Sequence, residues 1–208
     1  MPRFVTWLFP KQIWAFHHSK DTVYLTFDDG PIPNVTPWVL EELKKFQAKA
    51  TFFCIGNNIA QNNPIFEDII TEGHTIGNHT FDHLNGWKTK ALDYMDNIEK
   101  TQNLINSHKT TNAKPLFRPP FGKITPTQSK RIQKQGYQII MWDVLSRDFD
   151  SAISNKKCLQ LVLENMKPGS IIVFHDSLKA ETKLRYILPK VLEYVSDRGW
   201  KCKGISLH

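Results

Sequence analysis

The sequence predicts an α/β fold of repeated strand–helix units, and three observations support this class. Short apolar runs recur along the chain, and segments with helical periodicity separate them. Several of these runs are almost continuously apolar, which is typical of strands buried on both faces of a parallel sheet. The length of 208 residues and the hydrophobic fraction of 40% fit a single domain with a packed core. This pattern alone leaves open whether the sheet is open or closed into a barrel.

Each element follows from a local pattern in the chain. The runs predicted to be strands are 22–28, 50–55, 75–78, 115–118, 138–144, 170–175 and 202–207. A first helix is expected to begin at Pro37 and to be capped by Thr36, because proline suits the first helical position. The other predicted helices are 88–108, 125–135, 155–166 and 183–198. The last of these has an apolar stripe on one face, as a helix packed against a core requires.

Composition and charge argue against several classes of protein. No apolar run approaches the roughly 18 residues of a membrane span, so no span is expected. The formal charge of +7 comes from scattered basic residues without interleaved aromatic residues, so no nucleic-acid partner is predicted. The three cysteines are far apart and form no C-x-x-C motif, which argues against a disulfide framework.

The N-terminus, MPRFVTWLFPKQIWAF, carries a short apolar patch that Pro10 and Lys11 interrupt. This patch is not followed by a cleavage site of small residues, so no standard secretory signal is expected. On this basis the expected compartment is the cytoplasm, although a signal that had already been removed would leave the same sequence.

Chemically capable side chains collect where predicted strands end. Five predicted strands are followed closely by acidic, basic or imidazole groups, namely Asp28, Asp29, His79, His83, Arg118, Asp143, Asp148 and His175. In a βα barrel the carboxyl ends of the strands gather on one face, where active sites are built. The sequence Asp-Asp-Gly-Pro could by itself form a simple turn. Unrelated turns, however, would not require acidic, basic or imidazole groups after each of these five strands.

The pair His79 and His83 has the i, i+4 spacing that places two imidazoles on one side of a helical turn, a common arrangement of metal ligands. With a carboxylate from FDDG, the pair would form a three-ligand site with open positions. Such a site suits catalytic zinc, and equally the iron of an oxygenase. A hydrolase also needs a base and an acid, which the remaining aspartate and His175 could supply.

Four motifs give the sequence a specific resemblance. TFDDGP, HTFDH, RPPFG and FHD occur in the order and spacing of the polysaccharide deacetylase family, the NodB-homology or carbohydrate esterase family 4 enzymes. The resemblance runs from about residue 22 to the C-terminus, so residues 22–208 would form the catalytic domain and residues 1–21 an N-terminal extension. It implies a single-domain α/β fold, a distorted (β/α) barrel of about seven βα units, in agreement with the strand pattern.

The resemblance assigns four residues to acid–base chemistry. It implies that Asp28 is the catalytic base and that Arg118 pairs with this carboxylate and orients it. It implies that His175 is the general acid that protonates the leaving group. Asp148 matches the aspartate that bonds this histidine and favours its protonated form. These four are the predicted catalytic residues.

The resemblance also assigns metal ligands and an oxyanion donor. Asp29, His79 and His83 would hold one divalent cation, expected to be zinc, with cobalt, nickel or manganese as alternatives. A cation beside one of two adjacent aspartates explains how their proximity is tolerated, because its charge inverts the local pKa pattern. The backbone N–H of Phe121 would hold the oxyanion together with the metal.

Four positions depart from the family pattern and leave the substrate open. Phe121 replaces the usual tyrosine, Phe149 the usual tryptophan and Val173 a usual leucine. Leu145 also stands where an aspartate is common. These changes leave the predicted acid, base and metal ligands in place, but they lie where the substrate is expected to bind. The acetyl and substrate pocket is predicted to contain Pro119, Pro120, Phe149 and Val173.

The implied reaction is hydrolysis of the N-acetyl group of GlcNAc-type residues by metal-activated water, with an N-acetylated glycan as the partner. Alternatives are a non-catalytic sugar-binding member of the fold, an O-acetyl esterase or small-amide hydrolase, and the oxygenase. A binding protein would not need both Asp28 and His175. The family often acts at the cell envelope, whereas this N-terminus indicates the cytoplasm. The sequence defines neither the particular glycan nor the oligomeric state.

Overall fold

A parallel β-sheet organises the computed structural model, which describes residues 11–108 and 114–207. Its strands are β1 (Thr22–Asp28), β2 (Thr51–Cys54), β3 (Thr75–Asn78), β4 (Leu116–Phe117), β5 (Gln138–Ile139), β6 (Val144–Leu145), β7 (Ile171–His175) and β8 (Lys201–Cys202). Their order in space is β5-β4-β3-β2-β1-β7-β6, with β8 paired to the start of β1, and all these pairs are parallel. The strands curl into a half-barrel, so the predicted distorted (β/α) barrel is confirmed.

Helices connect most of the successive strands, as parallel strands require. They are α1 (Thr36–Lys45), α2 (Gly56–Gln61), α3 (Asn63–Thr71), α4 (Ala91–Asn106), α5 (Pro126–Lys134), α6 (Asn155–Asn165) and α7 (Glu181–Asp197). Two 3₁₀ turns lie at Gly86–Lys88 and Pro120–Gly122. Within the described ranges, no helix has both the length and the apolar character needed to cross a membrane.

The main core lies between β1 and the inner faces of the helices that pack on the sheet. Val23, Leu25 and Phe27 of β1 are fully buried and share one hydrophobic cluster with α1 and α7. The stripe predicted for the last helix is confirmed, since its members are all buried: Leu184, Ile187, Leu188, Val191, Leu192 and Val195. Burying one large apolar side chain contributes about 1.5–3 kcal/mol, so these faces fix the strand whose end carries the two aspartates.

The predicted run 138–144 is not one strand, because it divides into β5 and β6. Asp143 interrupts it: its carboxylate accepts hydrogen bonds from the hydroxyl of Ser170 at 2.9 Å and from the backbone N–H of Ile171 at 2.8 Å. The side chain therefore bonds the start of β7 and does not line the cavity described below. Its predicted place among the functional groups at the strand ends is wrong.

Other differences concern short or polar segments. Of the predicted run 202–207, only Cys202 lies in a strand, since β8 ends at that residue. Helices α2 and α3 were not predicted. GNNIAQ of α2 holds too few apolar residues for a periodic pattern, whereas α3 does carry apolar residues at helical spacing, with Phe66 and Ile69 buried. Thr36 is the first residue of α1 and does not cap it. Its hydroxyl accepts the backbone N–H of Ile32 at 2.8 Å and donates to the carboxylate of Asp176 at 2.6 Å.

The N-terminal segment joins two parts of the sheet. The backbone N–H of Ile13 donates to the carbonyl of Ile139 at 2.9 Å, and the N–H of Phe16 donates to the carbonyl of Gly169 at 2.8 Å. Residues 13–16 thus lie between β5 and the start of β7. The predicted domain boundary after residue 21 stays a prediction, and residues 1–10 of the predicted extension lie outside the described residues.

Candidate active site

The register of the sheet brings the chemically capable groups to one edge. Asp28, the last residue of β1, pairs with His175, the last residue of β7. His79 and Arg118 directly follow the paired ends of β3 and β4. Because the carboxyl ends of parallel strands lie at one edge of a sheet, these four side chains meet there, at the place where ligands bind in α/β folds.

Asp28 is a buried carboxylate with an arginine partner. Its Oδ1 accepts a hydrogen bond from Nη1 of Arg118 at 2.7 Å, and 3% of its surface is exposed. Burial alone would raise the pKa of Asp28, but the Arg118 guanidinium, together with His79 and His175, outweighs burial and holds the pKa below its ordinary value. The carboxylate is therefore ionised at neutral pH and able to accept a proton.

Arg118 is held rigidly enough to orient this carboxylate. The side chain is fully buried. Nη1 also donates to the hydroxyl of Thr26 at 2.7 Å, Nε donates to the carbonyl of Ile140 at 3.2 Å, and Nη2 donates to the carbonyl of Met141 at 3.0 Å. A buried charge is tolerated when it is paired and hydrogen-bonded, as this guanidinium is.

The tautomer and the pKa of His79 suit a neutral metal ligand. Its Nδ1 lies 2.8 Å from the carbonyl oxygen of Arg118. A carbonyl only accepts hydrogen bonds, so Nδ1 carries the proton and Nε2 keeps its lone pair. Burial lowers the pKa of His79 to about 4. Neutral imidazole with one nitrogen fixed by a carbonyl is the form that binds metal.

Asp29 and His83 complete a cluster of three candidate ligands. Oδ1 of Asp29 lies 3.4 Å from Nε2 of His83 and 3.9 Å from Nε2 of His79. One ligand atom from each of the three residues lies within 4.8 Å of the others. Burial also lowers the pKa of His83. Two neutral imidazole nitrogens and one carboxylate oxygen suit a divalent cation such as zinc.

The oxygen Oδ1 of Asp29 provides a further test of this fit. It is buried and has no hydrogen-bond partner among the residues that the structure describes. A buried carboxylate oxygen without a partner is costly unless a cation takes that place. The residues present therefore fit the divalent cation that the motifs imply.

The backbone that presents the two histidines differs from the predicted helical turn. Residues 79–83 form an irregular loop, with left-handed conformations at Thr80 (φ 64°) and His83 (φ 54°). The side chain of Asn78 accepts the N–H of Thr80 at 2.9 Å, and the hydroxyl of Thr80 accepts the N–H of Leu84 at 3.0 Å. This loop, and not a helix, brings the two imidazole rings to a centroid distance of 5.1 Å.

His175 and Asp148 form a second charged pair. Oδ1 of Asp148 lies 2.7 Å from Nδ1 of His175, and Oδ2 accepts the backbone N–H of the same histidine at 2.8 Å. Burial alone would lower the pKa of His175, but the Asp148 carboxylate, together with Asp29 and Asp28, outweighs burial and raises the pKa to about 9. The imidazolium is therefore present at neutral pH. The carboxylate engages the Nδ1 proton, which leaves the Nε2 proton for transfer.

Both charged pairs border one cavity of about 380 Å³, lined by Asp28 and His175 together with the three candidate ligands. Of the residues predicted for the substrate pocket, Pro119, Phe149 and Val173 line this cavity. Pro120 is buried and is not among the residues that line it, so its place in the pocket stays a prediction. The ring of Phe149 meets the imidazole of His175 edge-on at a centroid distance of 4.9 Å.

Sequence reasoning missed part of the cavity wall. Four lining residues carried no prediction: Gly122, Trp142, Ser177 and Lys179. Each lies within a few positions of a residue that was singled out, and this proximity was the available signal. Leu145, noted only as a departure from the family pattern, also lines the cavity.

Phe121 lies at the mouth of the cavity. Its side chain is 58% exposed, and its ring centroid lies 4.5 Å from that of His83. Its backbone is left-handed (φ 60°) within the turn Pro120–Gly122. An oxyanion donor needs only the backbone N–H, so a change of side chain from tyrosine to phenylalanine leaves that group in place. The donor role itself stays a prediction.

Fold and site together define a βα-barrel protein with a candidate Asp-His-His metal centre beside a carboxylate–imidazolium pair. The family model described as polysaccharide deacetylase matches residues 17–140, more than half of the chain. The chain belongs to the polysaccharide deacetylase family, the NodB-homology or carbohydrate esterase family 4 group.

Curated relatives agree with this family. The chain is 38% identical over 170 residues to a peptidoglycan-N-acetylglucosamine deacetylase of Bacillus cereus, covering 80% of this chain but only 61% of that relative. It is 32% identical over 199 residues to a second Bacillus cereus protein of the same name, covering 93% of this chain and 90% of the relative. It is 33% identical over 186 residues to a chitooligosaccharide deacetylase of Azorhizobium caulinodans, covering 82% and 88%.

Solved structures include both an enzyme and a pseudoenzyme. A peptidoglycan N-acetylglucosamine deacetylase, solved with 4-naphthalen-1-yl-N-oxidanyl-benzamide, superposes with a TM-score of 0.87 at 32% identity and covers 98% of this chain and 94% of that one. A carbohydrate esterase family 4 pseudoenzyme from Bacillus anthracis superposes with a TM-score of 0.83 at 26% identity and covers 94% and 68%. Fold similarity alone therefore does not decide activity.

Proposed function

We propose that this protein is a metal-dependent N-deacetylase that removes acetyl groups from GlcNAc-type residues of a glycan. One observation carries the proposal: an ionised carboxylate, Asp28, and a protonated imidazole, His175, border the same cavity as three candidate metal ligands. Hydrolysis of an amide requires a base for water and an acid for the departing amine, and a binding protein requires neither.

Asp29, His79 and His83 would hold the divalent cation, with zinc as the proposed ion and cobalt, nickel or manganese as alternatives. When bound, such an ion supplies polarisation of the acetyl carbonyl and a lowered pKa for water. The chain's contribution is to keep both imidazoles neutral and to aim their Nε2 atoms and one carboxylate oxygen at a common point.

The remaining residues move and hold protons. Asp28 accepts a proton from the attacking water, and Arg118 keeps this carboxylate ionised and oriented. The backbone N–H of Phe121 donates to the oxyanion that develops on the acetyl oxygen. His175 then donates its Nε2 proton to the amine nitrogen as the C–N bond breaks. Asp148 fixes the imidazole through Nδ1, so that Nε2 is the nitrogen that gives up its proton.

The proposed substrate class rests on a feature shared by the relatives' names. Two are named for the N-acetylglucosamine of peptidoglycan and one for chitooligosaccharides, and all carry the name deacetylase. An N-acetylglucosamine residue is the unit that these substrates have in common. The cytoplasmic location expected from the N-terminus stays a prediction.

Mass spectrometry of glycans treated with zinc-loaded protein tests the proposal. We expect loss of acetyl groups from N-acetylglucosamine oligomers or peptidoglycan fragments, and no loss after chelation of the metal. An arm with O-acetylated sugars distinguishes an esterase from an amidase. Binding of these glycans without release of acetate would instead favour a non-catalytic member of the fold, as in the Bacillus anthracis neighbour named a pseudoenzyme.

A further inference from the structure

Asp176, the last residue of the FHD motif, is a buried carboxyl group that the reaction described above does not use. No part of its surface is exposed. Among the residues that the structure describes, no lysine or arginine forms an ion pair with it. A buried carboxyl group without a cationic partner is costly, so its hydrogen bonds should reveal what retains it.

Both carboxyl oxygens of Asp176 hold the loop that joins β1 to α1. Oδ1 accepts the backbone N–H of Gly30 at 3.0 Å. Oδ2 accepts the hydroxyl of Thr36 at 2.6 Å, and that hydroxyl accepts the N–H of Ile32 at 2.8 Å. The fit is tight, because a Cβ atom on Gly30 would lie 2.0 Å from Oδ2. The carboxyl group thus reaches both ends of the loop.

This loop begins with the candidate ligand Asp29 in a strained conformation. Its φ is 86°, in the left-handed region that residues other than glycine rarely adopt. Such strain persists only where the surroundings enforce it. Three hydrogen bonds from neighbouring groups enforce this conformation. Asn58 donates to the carbonyl of Asp29 at 2.7 Å, and the N–H of Ile55 donates to the carbonyl of Gly30 at 3.0 Å. Asn62 donates to the carbonyl of Pro31 at 3.2 Å.

We propose that Asp176 is a positioning residue for the metal centre: by holding Gly30 and Thr36 it fixes the strained backbone at Asp29 and aims that carboxylate at the two histidines. The hydrogen bonds at Gly30 and Thr36 bracket the turn immediately after the ligand. Loss of the carboxyl group would leave the N–H of Gly30 buried and unpaired, and the backbone at Asp29 would relax. The proposal rests on the proposed function insofar as that function requires a bound cation.

Calorimetric titration of metal-free protein with zinc chloride tests the proposal without substrate or turnover. Outer partners that orient a ligand typically change metal affinity by about 10–100-fold, and we expect a loss of this size in Asp176→Ala. Asp176→Asn keeps an acceptor for Gly30 and should lose less. This measurement separates the positioning role of Asp176 from the proposed deacetylation, because metal affinity is measured whether or not any glycan is hydrolysed.

Asp143→Ala is the matched control, since Asp143 also accepts one hydroxyl and one backbone N–H but does not line the cavity of the candidate ligands. It should lose stability without a comparable loss of zinc affinity. If Asp176→Ala does not fold, the pair Thr36→Val and Thr36→Ser replaces it, and only serine should retain the affinity. Unchanged affinity in Asp176→Ala, or equal losses in it and the control, would overturn the proposal.

Discussion

At the scale of single residues, two adjacent aspartates have opposite surroundings. Asp28 has an arginine at 2.7 Å, whereas Oδ1 of Asp29 is buried without a hydrogen-bond partner among the described residues. We expect Asp28→Asn to keep the metal and to lose on the order of 10²-fold or more in turnover, because an amide cannot accept the proton. Elemental analysis and acetate release measure the two quantities. If this variant instead lost the metal while Asp29→Asn kept it, the two assignments would be reversed.

A second residue-scale prediction concerns the pH dependence of turnover. Asp148 contributes most of the attraction that raises the pKa of His175 to about 9, so the acid stays protonated as pH rises toward that value. In Asp148→Asn the carboxylate is removed while burial, which lowers the pKa, remains. The alkaline limb of the pH–rate profile should therefore move to lower pH, with metal content unchanged. A profile with an unmoved alkaline limb and normal turnover would remove Asp148 from the mechanism.

The residues of the candidate site could largely be predicted, because their chemistry stands in short motifs at strand ends. Their local geometry could not. The i, i+4 spacing of His79 and His83 is compatible with a helix, but the bonds that stabilise the left-handed residues of the actual loop involve side chains of Asn78 and Thr80. Lys179 and Trp142 lie close in sequence to predicted site residues, but only the tertiary fold shows that they line the cavity.

At the scale of elements, α7 offers a direct test of packing. Leu188 is fully buried in the main core, whereas Glu193 on the same helix is exposed. Leu188→Ala should lower the free energy of unfolding by about 2–5 kcal/mol, since it removes buried methyl groups and leaves a cavity. Glu193→Ala should change it by no more than about 0.5 kcal/mol. Denaturant unfolding compares them, and similar losses in both variants would contradict this account of α7.

Buried strands were predictable from the sequence. For 22–28 and 75–78 the predicted bounds are those that the structure shows. Segments whose structure depends on single polar contacts were not predictable from the sequence. The run 138–144 reads as one apolar strand, yet Asp143 bonds to Ser170 and interrupts the ladder. Helix α2 is short and polar, so only its tertiary neighbours stabilise it, whereas the apolar spacing of α3 was a signal that the sequence did contain.

At the scale of the whole molecule, a bound cation would link distant parts of the chain. Asp29 follows β1, whereas His79 and His83 follow β3. A ligand that binds only the folded state stabilises it by about 4 kcal/mol at a concentration of 1,000 Kd. Zinc should therefore raise the thermal unfolding temperature of metal-free protein, and a chelator should reverse this effect. His79→Ala provides the control, and an equal zinc effect in that variant would place the metal elsewhere.

The contacts of residues 13–16 bear on how this chain can be shortened. The family match begins at residue 17, whereas Ile13 and Ala15 lie before it and bridge to Ile140 and Ser170. A chain that starts at residue 17 would expose backbone groups along the sheet, and unpaired strand edges promote self-association. We expect that form to elute as concentration-dependent oligomers in size-exclusion chromatography, unlike a form that starts at residue 11; identical elution would contradict this. The limits of shared ancestry need not coincide with the limits of the folding unit.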